Sequence, residues 1–414
     1  MNDAIRIGPA REEDKRTIAL LWTHAFPGER TVEERVRSLE DGKPYGGLEI
    51  TFAAQLRGKL MGAFRAYKMA ESIDGVLMPM MGLASVAVSP DGRRRGIGRQ
   101  MCRYALAHAR ERGDFISVLY PFRPDFYKSI GWGLVGELHS YRFRPESLSL
   151  DDNSLNVRMA SPADDDGIHA CYDRIARQSN GPILRTPYAW KYLFNDVSAA
   201  THAIIYERGT IQGYAIVTYG QGASRESRPL FIRELLAESR DAYCGLLGWL
   251  SEQRDLWREM RYDARVEERF DLRLSDPRPP GERHARTLWD PSARIIRGPM
   301  LRIVNVQEAL SKRRYPDDIN LTLKLTVYDS EVNDNHGECR VVLENGHAEI
   351  GRWPAGAKAD VQMFTTIANL SQIFAGELSV SEAVSVGGTE VRGPVEGLDR
   401  AFRTRERFWL FDEF

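Results

Sequence analysis

One stretch, VAVSPDGRRRGIGRQM at residues 86–101, gathers residue types that could hold a polyanion. Val86, Ala87 and Val88 close an apolar run, Pro90-Asp91-Gly92 breaks it, and Arg93-Arg94-Arg95-Gly96-Ile97-Gly98-Arg99 leads into a helical period. Glycines let main-chain N–H groups converge on one anion, a helix start adds the positive end of its dipole, and arginines offer charge-assisted hydrogen bonds to phosphate. The chemistry indicated is pyrophosphate binding. It is not that of a Walker loop, because no Gly-Lys-Ser/Thr follows, nor of a dinucleotide fold, because the G-x-G-x-x-G spacing is absent. A solvated basic turn ahead of a helix is the plainer reading of the same residues.

Two further groups of residues could do chemistry. The sequence stops at FWLFDEF, and an apolar end this dense predicts a docked tail that carries the α-carboxylate of Phe414 into a pocket. Apolar surroundings and the neighbouring charges of Asp412 and Glu413 would both push that carboxyl's pKa upward, and the charges would attract a cation. Tyr127, one of 16 tyrosines, reads as core between Phe126 and Trp132, and any tyrosine can donate a proton without being ionised at rest, since its phenol has a pKa near 10.

The surrounding text predicts the elements that position these residues. AREEDKRTIALLWTHAF reads as an amphipathic helix, and Thr31-Val-Glu-Glu34 as a capping box opening another. FAAQL and LMGAFRAY flank an Arg57-Gly58-Lys59 hairpin turn, and MGLASVAVS suits a buried strand. From Arg99 to Arg112 the residues Met101, Ala105 and Ala109 recur at helical spacing, Gly113 stands at the C-cap, and FISVLY is the next strand. Gly58-Lys-Leu-Met-Gly62 is echoed by Gly209-Thr-Ile-Gln-Gly213 between AIIY and YAIVTY, which suggests a duplicated domain whose second copy lacks the basic loop. Matching turn glycines also arise by coincidence. LSDPRPPGERHARTLWDPS marks a boundary, and beyond it LTLKLTVYDS, CRVVLEN, HAEIGRW and ADVQMFT alternate as strands, with a hairpin turn at Asn345-Gly346, followed by helices in TIANLSQIFAG and SVSEAVSVGG.

With 414 residues the chain is expected to form more than one core, and domains over 1–148, 149–296 and 297–414 are expected, of overall α/β (α+β) class. Composition, 43% hydrophobic and 28% charged, excludes disordered and fibrous classes. A net charge of −1 offers no long-range attraction to nucleic acid or anionic membrane, so neither is expected as a partner. The four cysteines, Cys102, Cys171, Cys244 and Cys339, are scattered, which signals neither zinc nor a disulfide framework, and no metal is expected. Asn333-Asp-Asn-His-Gly337 lacks the acidic twelfth position of a calcium loop, and Asp164-Asp165-Asp166 reads as a helix start. With no secretory h-region and no long apolar run, a cytoplasmic protein is expected.

Strand, Arg-x-x-Gly-x-Gly at 93–98, helix, strand and then Phe126-Tyr127-Lys-Ser-Ile-Gly131-Trp132 together resemble the coenzyme A site of GNAT N-acetyltransferases. With the repeat, the terminal α+β segment and the final Glu-Phe, the whole chain resembles the Eis (enhanced intracellular survival) family of aminoglycoside acetyltransferases. That resemblance implies two tandem GNAT-like domains with central mixed sheets and a terminal domain like a sterol carrier protein, assembling as homohexamers. It implies acetyl-coenzyme A held by the backbone of Val86 to Val88, by Arg93, Arg94, Arg95, Gly96, Ile97, Gly98 and Arg99, and by Phe122 and Arg123. It casts Tyr127 as general acid and the Phe414 carboxylate as general base, with Ser85, Phe26, Glu29, Asp412 and Glu413 on the acceptor side. An amine of lysine-like pKa is more than about 99.9% protonated near pH 7, so transfer needs such a base, and backbone N–H groups near Val86 would polarise the thioester. Gly-Ile-Gly is nearer the general GNAT pattern than the bulkier ending of some Eis members, and Tyr120-Pro-Phe-Arg-Pro-Asp-Phe126 is fuller than their loop. The expected acceptors are polycationic amines such as aminoglycosides. Protein lysines or N-termini are an alternative, and a lipid- or metabolite-binding protein on an inactive scaffold is a second.

Overall fold

The computed structural model describes residues 4–28, 30–41, 46–149, 152–194, 201–220, 228–281 and 291–414. They form two compact units, each discontinuous in sequence: Met1–Val135 with Asn180–Ala189 and Pro299–Phe414, and Gly136–Ser179 with Trp190–Gly298.

In the first unit β1 (Arg6–Pro9), β2 (Thr51–Leu56), β3 (Lys59–Ile73), β4 (Val76–Val88), β5 (Ile116–Leu119) and β6 (Gly133–Leu134) build one sheet. Its order is β1-β2-β3-β4-β5, then the strand Met300–Ile303, then β6. The β2–β3 hairpin turns at Arg57 and Gly58, both with positive φ (54° and 76°), the geometry that matches strand twist in a two-residue loop. Helices α1 (Lys15–Ala25) and α2 (Val32–Glu40) precede the hairpin. The capping box of α2 is present, with Glu34 N donating to Thr31 Oγ1 at 3.2 Å and Thr31 N to the Glu34 carboxylate at 2.8 Å.

Crossing from β4 to the parallel β5, α3 (Ile97–Arg112) buries Ile97, Met101, Cys102, Ala105, Leu106 and Ala109 as one stripe. It stops at Gly113 (φ 84°), whose N–H reaches the carbonyls of Ala109 and Arg110. The short helix α4 (Pro124–Lys128) follows β5.

The second unit repeats this plan. Its hairpin Thr201–Arg208/Thr210–Tyr219 pairs antiparallel with Leu230–Ala237, which runs parallel to Met260–Arg265. Where the first unit has the basic loop, the second passes from Ala237 to a helix at Arg240, capped by Ser239 Oγ accepting from Ala242 N at 3.2 Å. The expected helix start at Asp164 is there too, as a turn leading into Asp165–Ala176. Residues 282–290 of the Pro-Arg-rich boundary lie outside the described residues.

Residues from Val306 onward form a five-stranded sheet, ordered His347–Arg352, Gly337–Glu344, Leu321–Tyr328, Val361–Thr366, Thr389–Arg392. Asn345 and Gly346 turn its hairpin with φ of 51° and 76°. One apolar core runs without a break from Met78, Met80 and Val118 of the first sheet to Leu323, Leu325 and Phe374 of this one.

Arg313, fully buried, seals that core by an unusual route. It donates to Phe374 O (3.3 Å), Ala401 O (3.3 Å) and Phe402 O (2.8 Å), at the ends of the helices Ile367–Phe374 and Val395–Phe402. Two helix dipoles thus face the guanidinium, while burial lowers its pKa. Replacing it strands those carbonyls at about 1–3 kcal/mol for a buried polar group left unsatisfied. Arg313→Met should therefore lower unfolding free energy by roughly 3 kcal/mol or more in urea titrations; an unchanged midpoint would refute this assignment.

Candidate active site

Chain geometry at the end of β4 makes an open slot. β4 and β5 pair only from Met80/Ile116 to Gly82/Val118, although β4 continues to Val88. On its other side β4 stays bonded to β3 as far as Gly62/Val88. Among the described residues, Leu83 to Val88 therefore present an edge with no strand opposite. The β3–β4 register shifts between Ala63 and Arg65, facing Ser85, whose φ of 52° is rare for a non-glycine residue. Trp22 Nε1 donates to the Ser85 carbonyl at 2.7 Å, beside this kink.

Past Val88 the chain makes a tight turn over Pro90–Gly92 and enters α3 through Gly96, in the left-handed region at φ 77°. Left-handed residue followed by helix is the backbone form of an anion nest. The N–H groups of Ile97, Gly98 and Arg99 precede the first intrahelical bond, Gln100 N to Gly96 O at 3.0 Å. Arg93, Arg94 and Arg95 are exposed around this turn, and Ile97 anchors it in the core. A Cβ at Gly98 would stand 3.3 Å from Phe126 Cζ, so glycine keeps the helix close to that ring. Arg99 is half-buried and committed, donating to Ser129 O at 3.1 Å and to the Glu331 carboxylate.

Tyr127 sits in α4 with 3% of its surface exposed, walled by Phe122, Phe126 and Trp132 at ring distances of 5.8, 5.0 and 6.0 Å. Burial first, and then Cys102, raise its pKa well above the usual 10.0, so the phenol stays protonated. Phe122 is 66% exposed beside it, and Arg123 is an exposed partner of Asp125. Cys102, on the buried face of α3, is held as a thiol by burial and by the charge of Glu331, its pKa pushed up to about 12, which removes it as a nucleophile.

The tail arrives at the point where β4 and β5 part. A Cβ on Gly82 would lie 2.9 Å from Phe414 Cε2, so the Phe414 ring lies directly on Gly82, packed edge-on to Tyr67 and Tyr120. Phe408, Trp409 and Leu410 are buried. Trp409 N donates to Asn180 O at 3.0 Å, Asn180 Nδ2 donates to Ala375 O and Glu406 O, and Gly181 leaves no room for a side chain against the Trp409 backbone. Arg185 grips the Asp412 carboxylate at 2.6 and 3.1 Å with side chains 1% and 9% exposed, and Tyr120 Oη donates to Asp412 O at 2.6 Å. Glu413 is exposed.

On the acceptor side, Phe26 ends α1 and its carbonyl accepts from Arg35 Nη2 at 3.0 Å, while Glu29 lies outside the described residues. Arg65, two residues from Tyr67 on the same face of β3, lies 4.7 Å over the Trp22 ring and donates to Ser38 Oγ at 3.0 Å. Sequence reasoning missed Arg65, Tyr120, Asn180 and Arg185, because each acts through a contact far away in the chain. Among the described residues no His, Cys, Asp or Glu group could hold a metal ion, and no helix is long and apolar enough to cross a membrane.

Known proteins match this chain along its length. Models of the acetyltransferase (GNAT) domain match residues 6–135 and 181–303, and the sterol carrier protein domain matches 306–411, which bears out the duplication and the nature of the terminal segment. N-acetyltransferase Eis of Mycobacterium tuberculosis is 26% identical over 345 residues, 79% of each chain. An uncharacterized N-acetyltransferase of Streptomyces griseus is 23% identical over 95% of this chain and 94% of its own. Among solved structures, a GCN5-related N-acetyltransferase from Anabaena variabilis superposes with TM-score 0.84 at 22% identity, covering 99% of this chain and 100% of its own. Eis1 from Mycobacterium abscessus does so with TM-score 0.79 at 20% identity and the same coverage.

The buried pair of Arg185 and Asp412 gives the tail its own test. Removing one member leaves the other buried at a cost of about 3–5 kcal/mol. Arg185→Met should speed amide exchange of residues 409–414 by on the order of 100-fold or more, and protection equal to the parent's would show that the pair does not hold the tail.

Proposed function

For a chain that belongs to the GNAT acetyltransferases, with two such domains and a sterol-carrier-type domain, we propose direct transfer of an acetyl group from acetyl-coenzyme A to a primary amine at the first GNAT domain. The observation that carries it is the unpaired edge of β4 leading straight into the glycine-arginine turn. An extended pantetheine arm can add to such an edge as a strand would, with its pyrophosphate arriving at the nest and the exposed Arg93–Arg95. The coenzyme supplies the activated acetyl thioester. Val86 N–H polarises its carbonyl oxygen, the amine nitrogen forms the new C–N bond as the C–S bond breaks, and the departing sulfur takes the Tyr127 proton. The amine proton goes to the carboxylate of Phe414, seated by its ring on Gly82.

The acceptors are polycationic amines of the aminoglycoside kind, following the resemblance to Eis. Asp412 is matched by Arg185, so Glu413 is the tail side chain that meets such a cation. Arg65 sets a positive charge on the same face, so amines that also carry a carboxylate belong in the panel.

Thiol release from acetyl-coenzyme A, measured over aminoglycosides, acidic amines and lysine peptides, tests this reading. Aminoglycoside-driven turnover should fall about 10²-fold or more in Tyr127→Phe and in a chain extended beyond Phe414. Full activity of the extended chain would sink the terminal base, and coenzyme binding without turnover of any amine would sink the acceptor class. Because burial raises the Tyr127 pKa, its proton is present at every pH below the ordinary tyrosine range. Turnover at saturation should therefore not fall between pH 7 and about 10; an alkaline fall that disappears in Tyr127→Phe would contradict the burial argument.

A further inference from the structure

Two consecutive carbonyls just after Tyr127 are gripped by guanidinium groups. Ser129 O accepts from Arg99 Nη2 at 3.1 Å, and Ile130 O accepts from Arg302 Nη1 at 2.6 Å. Both arginines are anchored on carboxylates of a single turn in the terminal domain. Arg302 donates to both Asp329 oxygens at 2.8 Å, and Arg99 shares the Glu331 carboxylate with Arg103. Asp329 shapes that turn as well, accepting from Glu331 N at 2.9 Å, Val332 N at 3.1 Å and Asn335 Nδ2 at 3.1 Å.

The arrangement is demanding. Arg302 and Asp329 have no exposed side-chain surface, and Glu331 has 1%. Gly131, at φ 100°, has no Cβ because the Arg302 guanidinium occupies that space, and the same guanidinium lies 5.6 Å over the Trp132 ring. Burial by itself would raise the Glu331 pKa, but hydrogen bonds from Arg103, Arg99 and Ser330 outweigh it and keep the carboxylate charged. Local bonds already close the Tyr127 turn, with Ile130 N and Trp132 N donating to Tyr127 O at 3.0 and 3.1 Å. A buried ion pair such as Arg302–Asp329 adds little net stability over an apolar packing, and the Arg99–Glu331 pair, whose guanidinium is partly exposed, adds little more, so their convergence on one turn needs another purpose.

We propose that the Asp329–Glu331 turn of the terminal domain is the positioning element for Tyr127, Asp329 acting through Arg302 and Glu331 through Arg99. The proposal rests on the reading of Tyr127 as the acid. It assigns the sterol-carrier-type domain a part in the chemistry apart from delivery of the tail: it sets where the proton donor stands relative to the start of α3.

A double-mutant cycle separates this from a merely structural role. Glu331→Gln keeps the shape, removes the charge and spares the deeper Asp329 pair. We expect it to lower kcat about tenfold, with the acetyl-coenzyme A Kd changed less than about threefold, because small misplacement of a reacting group is costly. In a Tyr127→Phe background the same change should cost less than about twofold, since the group it positions is gone. Amide exchange at residues 127–132 should rise about tenfold in Glu331→Gln, and Glu331→Asp should restore part of kcat. Equal losses in both backgrounds, an unchanged kcat, or unchanged exchange at 127–132 would overturn the proposal. Tyr127→Phe with parental kcat, visible before any Glu331 variant is made, would remove the acid role and this inference with it. Parental behaviour of Tyr127→Phe thus marks failure of the acid reading, and additivity marks failure of the positioning claim alone.

Discussion

The parting of β4 from β5 after Gly82 is the constraint on which the rest of this molecule turns. Buried main-chain groups need partners, and a strand edge from Leu83 to Val88 that has no neighbour among the described residues is tolerable only where something else bonds to it. Every nearby departure from regular structure follows from keeping that edge available. Ser85 adopts a strained φ, Trp22 ties its carbonyl, and the chain enters α3 through a left-handed glycine. The strain at Ser85 is about 1–3 kcal/mol and persists only where surrounding packing over-determines it. The continuous core from Met80 and Val118 to Leu325 and Phe374 supplies that packing.

Polar burial in the first unit has a consistent character. Arg185 with Asp412, Arg302 with Asp329, and Arg313 with three carbonyls each join segments far apart in sequence. Apolar side chains would pack these sites with less desolvation, but they are non-directional. Guanidinium groups impose angles as well as distances, and each of these three meets its acceptors at two or more points. Where the tail and the Tyr127 turn need definite positions, the molecule uses directional bonds.

Much of the fold was legible because it is local. The α2 capping box, the Arg57-Gly58 and Asn345-Gly346 turns, the α3 stripe and its Gly113 cap all depend on residues a few positions apart, and each has a stereochemical signature. The glycine-arginine turn was legible for the same reason. Asn180, Arg185 and Tyr120 were not, since a lone Arg or Tyr carries no sign of a partner more than two hundred residues away. Nor could hydrophobic periodicity announce that Met300–Ile303, which falls at the end of the second GNAT match, joins the first sheet between β5 and β6. A strand's pattern reports that it is half-buried, not which sheet it joins.

That last feature bears on how the chain is made. Glu137–Phe143 is synthesised just after the first sheet's strands, yet pairs with Met260–Arg265 in the second sheet, and Met300–Ile303 returns to β5 in the first. During synthesis β5 emerges about nine score residues before its outer neighbour, an interval on the order of ten seconds or more at 5–20 residues per second. The first acetyltransferase sheet therefore cannot be completed from its N-terminal strands alone, because the strand that lies between β5 and β6 is Met300–Ile303. Each of the two compact units is assembled from segments that the other interrupts, so neither corresponds to one contiguous stretch of chain.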